Sequence, residues 1–238
     1  MIIKADKEKV LEEFYEKYAR DSYKEEFTKI LEKYNTDKET IKDNLILKFD
    51  SVCKNAVLLQ EKELKGEIKY IYFSILRTKI LESRGQWRID LYDKKWFLDK
   101  EECSVYIDLD FIYKPLFDYM KELSEKKREY GRIIKERDIN LIRQREANKY
   151  HALALNIIRD LLKSFFECSS YNEMKKEKDM VIMAGEYMDE AIVIYSERNN
   201  WFNNNYKSLQ KSVSSIFTLI ERKKDGLFFV KARWWIYK

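Results

Sequence analysis

A chain of 238 residues is long enough to bury a hydrophobic core without disulfides or metals, and it is within reach of one large domain or two small ones. Five glycines and one proline are far below the usual ~7% and ~5%, which removes most of the punctuation that loop-rich and phosphate-cradling folds use. The net charge is +5, with 37% charged and 15% aromatic residues, a composition of amphipathic elements with wet outer faces and aromatic inner ones, not of disorder.

The first 64 residues carry apolar positions at helical spacing and predict three helices: Val10, Phe14, Tyr15 and Tyr18, then Phe27, Ile30, Leu31 and Tyr34, then a stripe from Ile41 to Leu59. Thr36 followed by Glu39 has the form of a capping box for the third. The period then changes. Lys69 to Leu81 is dense in Ile, Tyr, Phe and Thr, and Trp87, Ile89 and Leu91 alternate with Arg88, Asp90 and Tyr92, which predicts a hairpin around Ser83–Gln86. Val105, Ile107, Leu109 and Phe111 predict a further strand, ending before Pro115, which is expected to open the next helix in its first turn.

From Pro115 to about Phe166 the pattern is helical, broken near Gly131, with a stripe of Ile139, Ile142, Tyr150, Ala154, Ile157, Ile158, Leu161 and Phe165. Segment 180–196 fits either a hairpin or a helix through Met188. An Asn-rich loop or helix entrance at 199–205, a helix from Tyr206 to Ile220 and a closing strand over Leu227–Tyr237 complete the reading, the last with its apolar face toward the core. The expected fold is α+β, predominantly helical, with an antiparallel sheet of about four to six strands covered by helices. With no linker, repeat or low-complexity tract, a single domain over 1–238 is expected, with a helical N-terminal segment over residues 1–65 and a mixed α/β segment over residues 66–238.

Cys53, Cys103 and Cys168 are odd in number and 50 and 65 residues apart, so they make no CxxC pair or zinc-ligand spacing and read as reduced thiols. No apolar run approaches the roughly 20 residues of a membrane span, and the N-terminus turns charged too early for a secretory h-region. A cytoplasmic protein is expected, and the richness in Lys, Ile and Tyr fits the AT-rich codons of a low-GC bacterium or its phage.

Motifs for chemistry are scarce. The single histidine, His151, lies on the helical stripe with no second histidine and no recognisable nucleophile pair, and reads as structural. Neither GxxxxGK[ST] nor GxGxxG occurs. Asp108 and Asp110 are two residues apart on a predicted strand, with Asp90 and Asp93 on the preceding hairpin, and are the best residues for a divalent-metal-dependent enzyme. The ordinary reading of these acids is the wet face of an amphipathic strand. The [DE]-x-K step of one nuclease type occurs six times, the number that chance gives for this composition, so it carries no signal.

Basic residues concentrate in 121–149, with ten bases and six acids, and in 207–238, with eight and two. These two segments are the expected elements of a nucleic-acid-binding alternative. The residues marked for partner binding are Arg128, Arg132, Arg137, Arg143, Arg145, Lys231 and Arg233. No catalytic residue, cofactor or metal is assigned. Abundant Tyr, Trp and Arg are usual interface anchors, and they favour a non-enzymatic macromolecule-binding protein whose partner is another protein, with nucleic acid second and a metal-dependent enzyme third.

Overall fold

Helices α1 (Lys7–Tyr18), α2 (Tyr23–Thr36) and α3 (Lys38–Glu61) open the chain where helical spacing predicts them. Asp6 caps α1 by accepting from the Glu8 amide at 3.1 Å. The capping box expected between Thr36 and Glu39 does not form. Thr36 is the last residue of α2, its hydroxyl donates to the Glu32 carbonyl at 3.0 Å, and only Asp37 separates the two helices. The computed structural model describes residues 6–197. The loop at 199–205, the helix from Tyr206 and the strand over 227–238 lie outside the described residues.

Strands β1 (Ile68–Ile75) and β2 (Gln86–Tyr92) are joined by the short helix α4 (Arg77–Leu81) and not by a tight hairpin, so the strand predicted to reach Leu81 stops at Ile75. Strand β3 (Ser104–Asp108) ends earlier than its alternation suggested, and helix α5 (Asp110–Lys126) begins at once. Two bonds hold that start: the Leu109 amide donates to the Gly85 carbonyl at 2.8 Å, and the Asp110 carboxylate accepts from the Gly85 amide. Pro115 therefore lies in the second turn of α5, not the first. The apolar stripe of α5 explains why the helix wins over the strand, since Ile112, Tyr113, Leu116, Phe117, Met120 and Leu123 are all buried.

A 3-10 turn at Lys127–Tyr130 leads to Gly131, whose φ of 59° and ψ of −124° require a residue without Cβ. The break near Gly131 is thus where it was expected. Helix α6 (Glu136–Phe166) follows, and every residue of its predicted stripe is buried. After the short helix α7 (Ser169–Glu173), β4 (Lys176–Glu186) and β5 (Ala191–Ser196) form a hairpin, which decides the open alternative for 180–196.

The described chain divides into two compact units, each built from three separated segments. The first comprises residues 6–37, Arg77–Gly85 and Leu109–Ala154. Its interior is aromatic: Phe27 packs edge-on against Tyr150 with ring centroids 5.0 Å apart, and Tyr113 bonds His151 Nδ1 through its hydroxyl. Glu146 is fully buried there, accepting from the Tyr15 hydroxyl and from Lys149 Nζ, each at 2.7 Å.

The second unit comprises Lys38–Leu76, Gln86–Asp108 and residues 155–197, so α3 belongs with the sheet. The five strands run in the order β3-β2-β1-β4-β5. The fold is α+β as expected, with one correction: the sheet is mixed, because β1 and β4 pair in parallel. The hundred residues between them, helices α4 to α7 included, supply the long crossover that a parallel pair needs. One sheet face carries Phe73, Trp87, Ile89, Leu91, Ile182 and Ala184, all buried, and Phe49 of α3 and Phe165 of α6 stack there 4.6 Å apart. No helix among the described residues is long and apolar enough to cross a membrane.

The β4–β5 turn depends on Gly185. A Cβ there would overlap the Glu190 carbonyl oxygen and lie 2.5 Å from Ala191 Cα, both rigid backbone. Gly185→Ala is expected to destabilise the unit by about 1–3 kcal/mol, read as a lower urea midpoint, because the strand ends must separate to admit the methyl group.

Candidate functional site

Residues paired across a sheet share a face, so strand register decides what the side opposite the helices presents. One row across the sheet is Ser104, Asp90, Tyr72, Met183 and Val193, and the next is Tyr106, Arg88, Ser74 and Gly185. Tyr92 and Tyr70 pair in a third row. This face is rich in tyrosine, polar and charged groups, unlike the apolar face beneath the helices.

The 3-10 turn Trp96–Leu98, which follows β2, folds back over these rows. The Trp96 ring lies 4.1 Å from Tyr70, 5.5 Å from Tyr92 and 5.8 Å from Tyr72, centroid to centroid. Phe97 lies 5.3 Å from Tyr92 and 6.4 Å from Tyr187 of the β4–β5 turn. Trp96 and Met188 both hold φ near 58°, an uncommon conformation for bulky side chains that persists only where surrounding contacts impose it. The residues next to the two tips face water: Leu98 is 77% exposed and Met188 58%.

Below the rings lies a buried ion pair. Arg88 Nε donates to Asp90 Oδ1 at 2.7 Å, and its guanidinium stands 3.2 Å from Glu102 and 5.4 Å from the Tyr187 ring centroid. Asp90 is 1% exposed. Burial pushes its carboxyl up, against the pull of Arg88 and the Tyr92 hydroxyl. The Tyr92 hydroxyl lies close enough to act on the carboxylate, but Asp90 Oδ2 itself accepts no hydrogen bond. The Ser74 hydroxyl, 0% exposed in the neighbouring strand, is likewise without a partner. Burial pushes the Tyr72 phenol up too, helped by the charges of Asp189, Glu186 and Asp90.

The Trp96 turn is anchored by a second buried pair. Lys65 Nζ bonds Asp99 Oδ2 and the Glu101 carbonyl, with side-chain exposures of 0% and 2% for Lys65 and Asp99. Asp99 also accepts from the Asp93 and Glu101 amides at 3.1 and 3.2 Å, so one carboxylate closes the loop on both sides of the turn.

The residues marked from the sequence for partner binding are spread over different environments. In the first unit Arg128, Arg132 and Arg137 are exposed on the 3-10 turn, the loop and the start of α6. Arg143 is drawn inward, donating to the Leu81 carbonyl at 2.8 Å, and Arg145 stacks 3.7 Å over the Tyr15 ring and 3.7 Å from Glu12. Lys127 and Lys149 pair with Glu136 and Glu146. Lys231 and Arg233 lie outside the described residues.

Asp108 ends β3 opposite Gln86, four positions from the Ser104–Asp90 pair and so roughly 13 Å along the strand. Asp110 is the first residue of α5 and spends its carboxylate on the Gly85 amide. The predicted strand face shared by the two aspartates therefore does not exist, because the helix starts between them. No group of three or more His, Cys, Asp or Glu side chains placed to hold a metal ion occurs among the described residues. The three cysteines are buried and unbonded to one another, and burial pushes the Cys103 and Cys168 thiols up to about 11, unfavourable for a nucleophile at neutral pH.

Comparison with protein-family models, with curated proteins and with solved structures found no match to this chain.

Sequence pattern did not single out the aromatic face, although half of its signal is local. Arg88, Asp90 and Tyr92 alternate with Trp87, Ile89 and Leu91, so a charged and aromatic face was visible on β2 alone. Met183 and Tyr187 arrive from β4 and the turn after it, about a hundred residues away, and no periodicity announces that.

Proposed function

We propose that this is a cytoplasmic, non-enzymatic protein-binding protein of a low-GC bacterium or its phage, and that the open face of its sheet is the binding surface. The observation that carries this reading is that Leu98 and Met188 are exposed while their chain neighbours Trp96, Phe97 and Tyr187 belong to one packed cluster of Trp, Tyr and Phe. Aromatic, Met and Arg side chains are the enriched anchors of protein interfaces. Nucleic acid fits this face poorly, since Glu102 stands beside Arg88 and three carboxylates act on Tyr72, an arrangement that repels phosphate.

The test is a photo-reactive phenylalanine analogue at position 98, with position 9 on α1 as an exposed control, irradiated in the native cells. Position 98 is expected to give a discrete protein adduct that position 9 lacks. Leu98→Glu with Met188→Glu should remove a partner's binding without moving the melting temperature, because both side chains are already in water. Identical adducts from both positions would sink the reading. So would a steeply salt-dependent oligonucleotide shift that the same double variant abolishes.

A further inference from the structure

Two of the three buried side-chain polar atoms that lack a hydrogen-bond partner among the described residues are Asp90 Oδ2 and Ser74 Oγ. They sit on neighbouring strands of the same sheet face, one register step apart, since Tyr72 pairs with Asp90 and Ser74 with Arg88. Buried polar groups in folded proteins are nearly always bonded, so two orphans side by side require a donor. An aspartate oxygen with a free lone pair asks for an N–H, and the serine hydroxyl can accept a second.

The surroundings say which kind of donor. Tyr72 pairs with Asp90 across the sheet, Tyr92 follows two residues along β2 on the same face, and the Trp96 ring packs against both tyrosines; aromatic faces attract cations. Glu186, Asp189 and Asp90 make the field at the Tyr72 hydroxyl negative. Arg88 already displays the chemistry in miniature: a guanidinium on Asp90 Oδ1, lying over the Tyr187 ring. It leaves Oδ2 untouched.

We propose that the partner protein inserts a cationic side chain, an arginine or lysine, among Tyr72, Tyr92 and Trp96, where its N–H groups reach Asp90 Oδ2 and Ser74 Oγ. This rests on the protein-binding reading above. Asp90 is buried, so the Trp96–Leu98 turn, whose Trp96 ring packs against Tyr72 and Tyr92, must shift to admit the cation. Exposed Leu98 then packs against the partner beside the inserted group.

Three blocked tripeptides, Gly-Xaa-Gly with Xaa arginine, lysine or norleucine, serve as probes. The full-length protein labelled with ¹⁵N is titrated with each, and the Trp96 indole N–H signal, assigned from a Trp96→Phe variant, is followed. The arginine and lysine peptides are expected to shift that signal to saturation, with norleucine weaker by on the order of tenfold or more. Asp90→Asn should weaken the charged peptides by about the same factor while leaving norleucine unchanged. Equal binding of norleucine and arginine, or a charged peptide that leaves the Trp96 signal still, would overturn the proposal. Should Asp90→Asn fail to fold, the comparison of arginine with norleucine on the unaltered protein decides alone. A protein cross-link at position 98 together with cation-blind peptides overturns this inference and leaves the binding reading standing. A single-stranded oligonucleotide that moves the Trp96 signal where the peptides do not overturns both.

Discussion

Asp99→Ala is expected to lower the stability of the sheet-containing unit by about 3–5 kcal/mol, because it strands a charge and not merely a bond. Lys65 Nζ lies with no side-chain exposure and has the Asp99 carboxylate and the Glu101 carbonyl as its partners. With the carboxylate gone, the ammonium must shed its proton, drag in water or pull out of the interior, and each course disturbs the β2–β3 loop. Folded domains hold only ~5–15 kcal/mol in total, so a loss of this size should appear as a large fall in the urea midpoint. The control is Lys65→Met with Asp99→Leu, which removes both charges and should recover most of the loss. A double variant no more stable than Asp99→Ala would show that the carboxylate matters through its bonds to the Asp93 and Glu101 amides instead. The same substitution bears on function. The Asp99 carboxylate closes the loop around the Trp96 turn through the Lys65 ammonium and the Asp93 and Glu101 amides, so partner binding should weaken even at temperatures where the protein stays folded.

Phe165→Ala is expected to cost a comparable ~3–5 kcal/mol for a different reason. Its ring stacks 4.6 Å from Phe49 and 6.0 Å from Phe73, so it joins α3, α6 and β1 at one point in the layer between helices and sheet. Truncation leaves a cavity bounded by a helix and a strand that cannot both collapse into it. Leu98→Ala provides the contrast. It removes a large apolar side chain too, but one already in water, and should shift stability by less than ~0.5 kcal/mol while weakening binding. Chemical denaturation of the two variants side by side separates the structural face of the sheet from the recognising one. Equal losses of stability would mean that Leu98 belongs to the core and not to an interface.

The helical half of this protein is legible residue by residue. Burial of Ile139, Ile142, Tyr150, Ala154, Ile157, Ile158, Leu161 and Phe165 follows from their spacing alone, because one helix face is set by neighbours three and four residues away. The boundaries were less legible. Thr36 ended a helix instead of capping the next, and Asp110 began one where alternation ran on toward Phe111, since a bond to Gly85, 25 residues earlier, outweighed the local pattern.

The candidate surface lay further still from what local pattern can express. Arg88, Asp90 and Tyr92 advertised a polar and aromatic face on one strand, but whether such a face meets water, helices or other rings depends on which strands lie beside it. The parallel pairing of β4 with β1 brings Tyr187 to Arg88 and Met183 beside Tyr72, and the Lys65–Asp99 pair folds Trp96 back over the rows. Amino-acid order by itself determined the α+β class, most helices and the alternation of the strands, because those rest on contacts within a few residues. Tertiary structure alone decided that the sheet is mixed, that Asp108 and Asp110 are separated by a helix start, and that a buried carboxylate oxygen without a donor, Asp90 Oδ2, shares a sheet face with the tyrosines against which Trp96 packs. Each of those depends on pairings tens to a hundred residues apart, for which the chain carries no periodic signal.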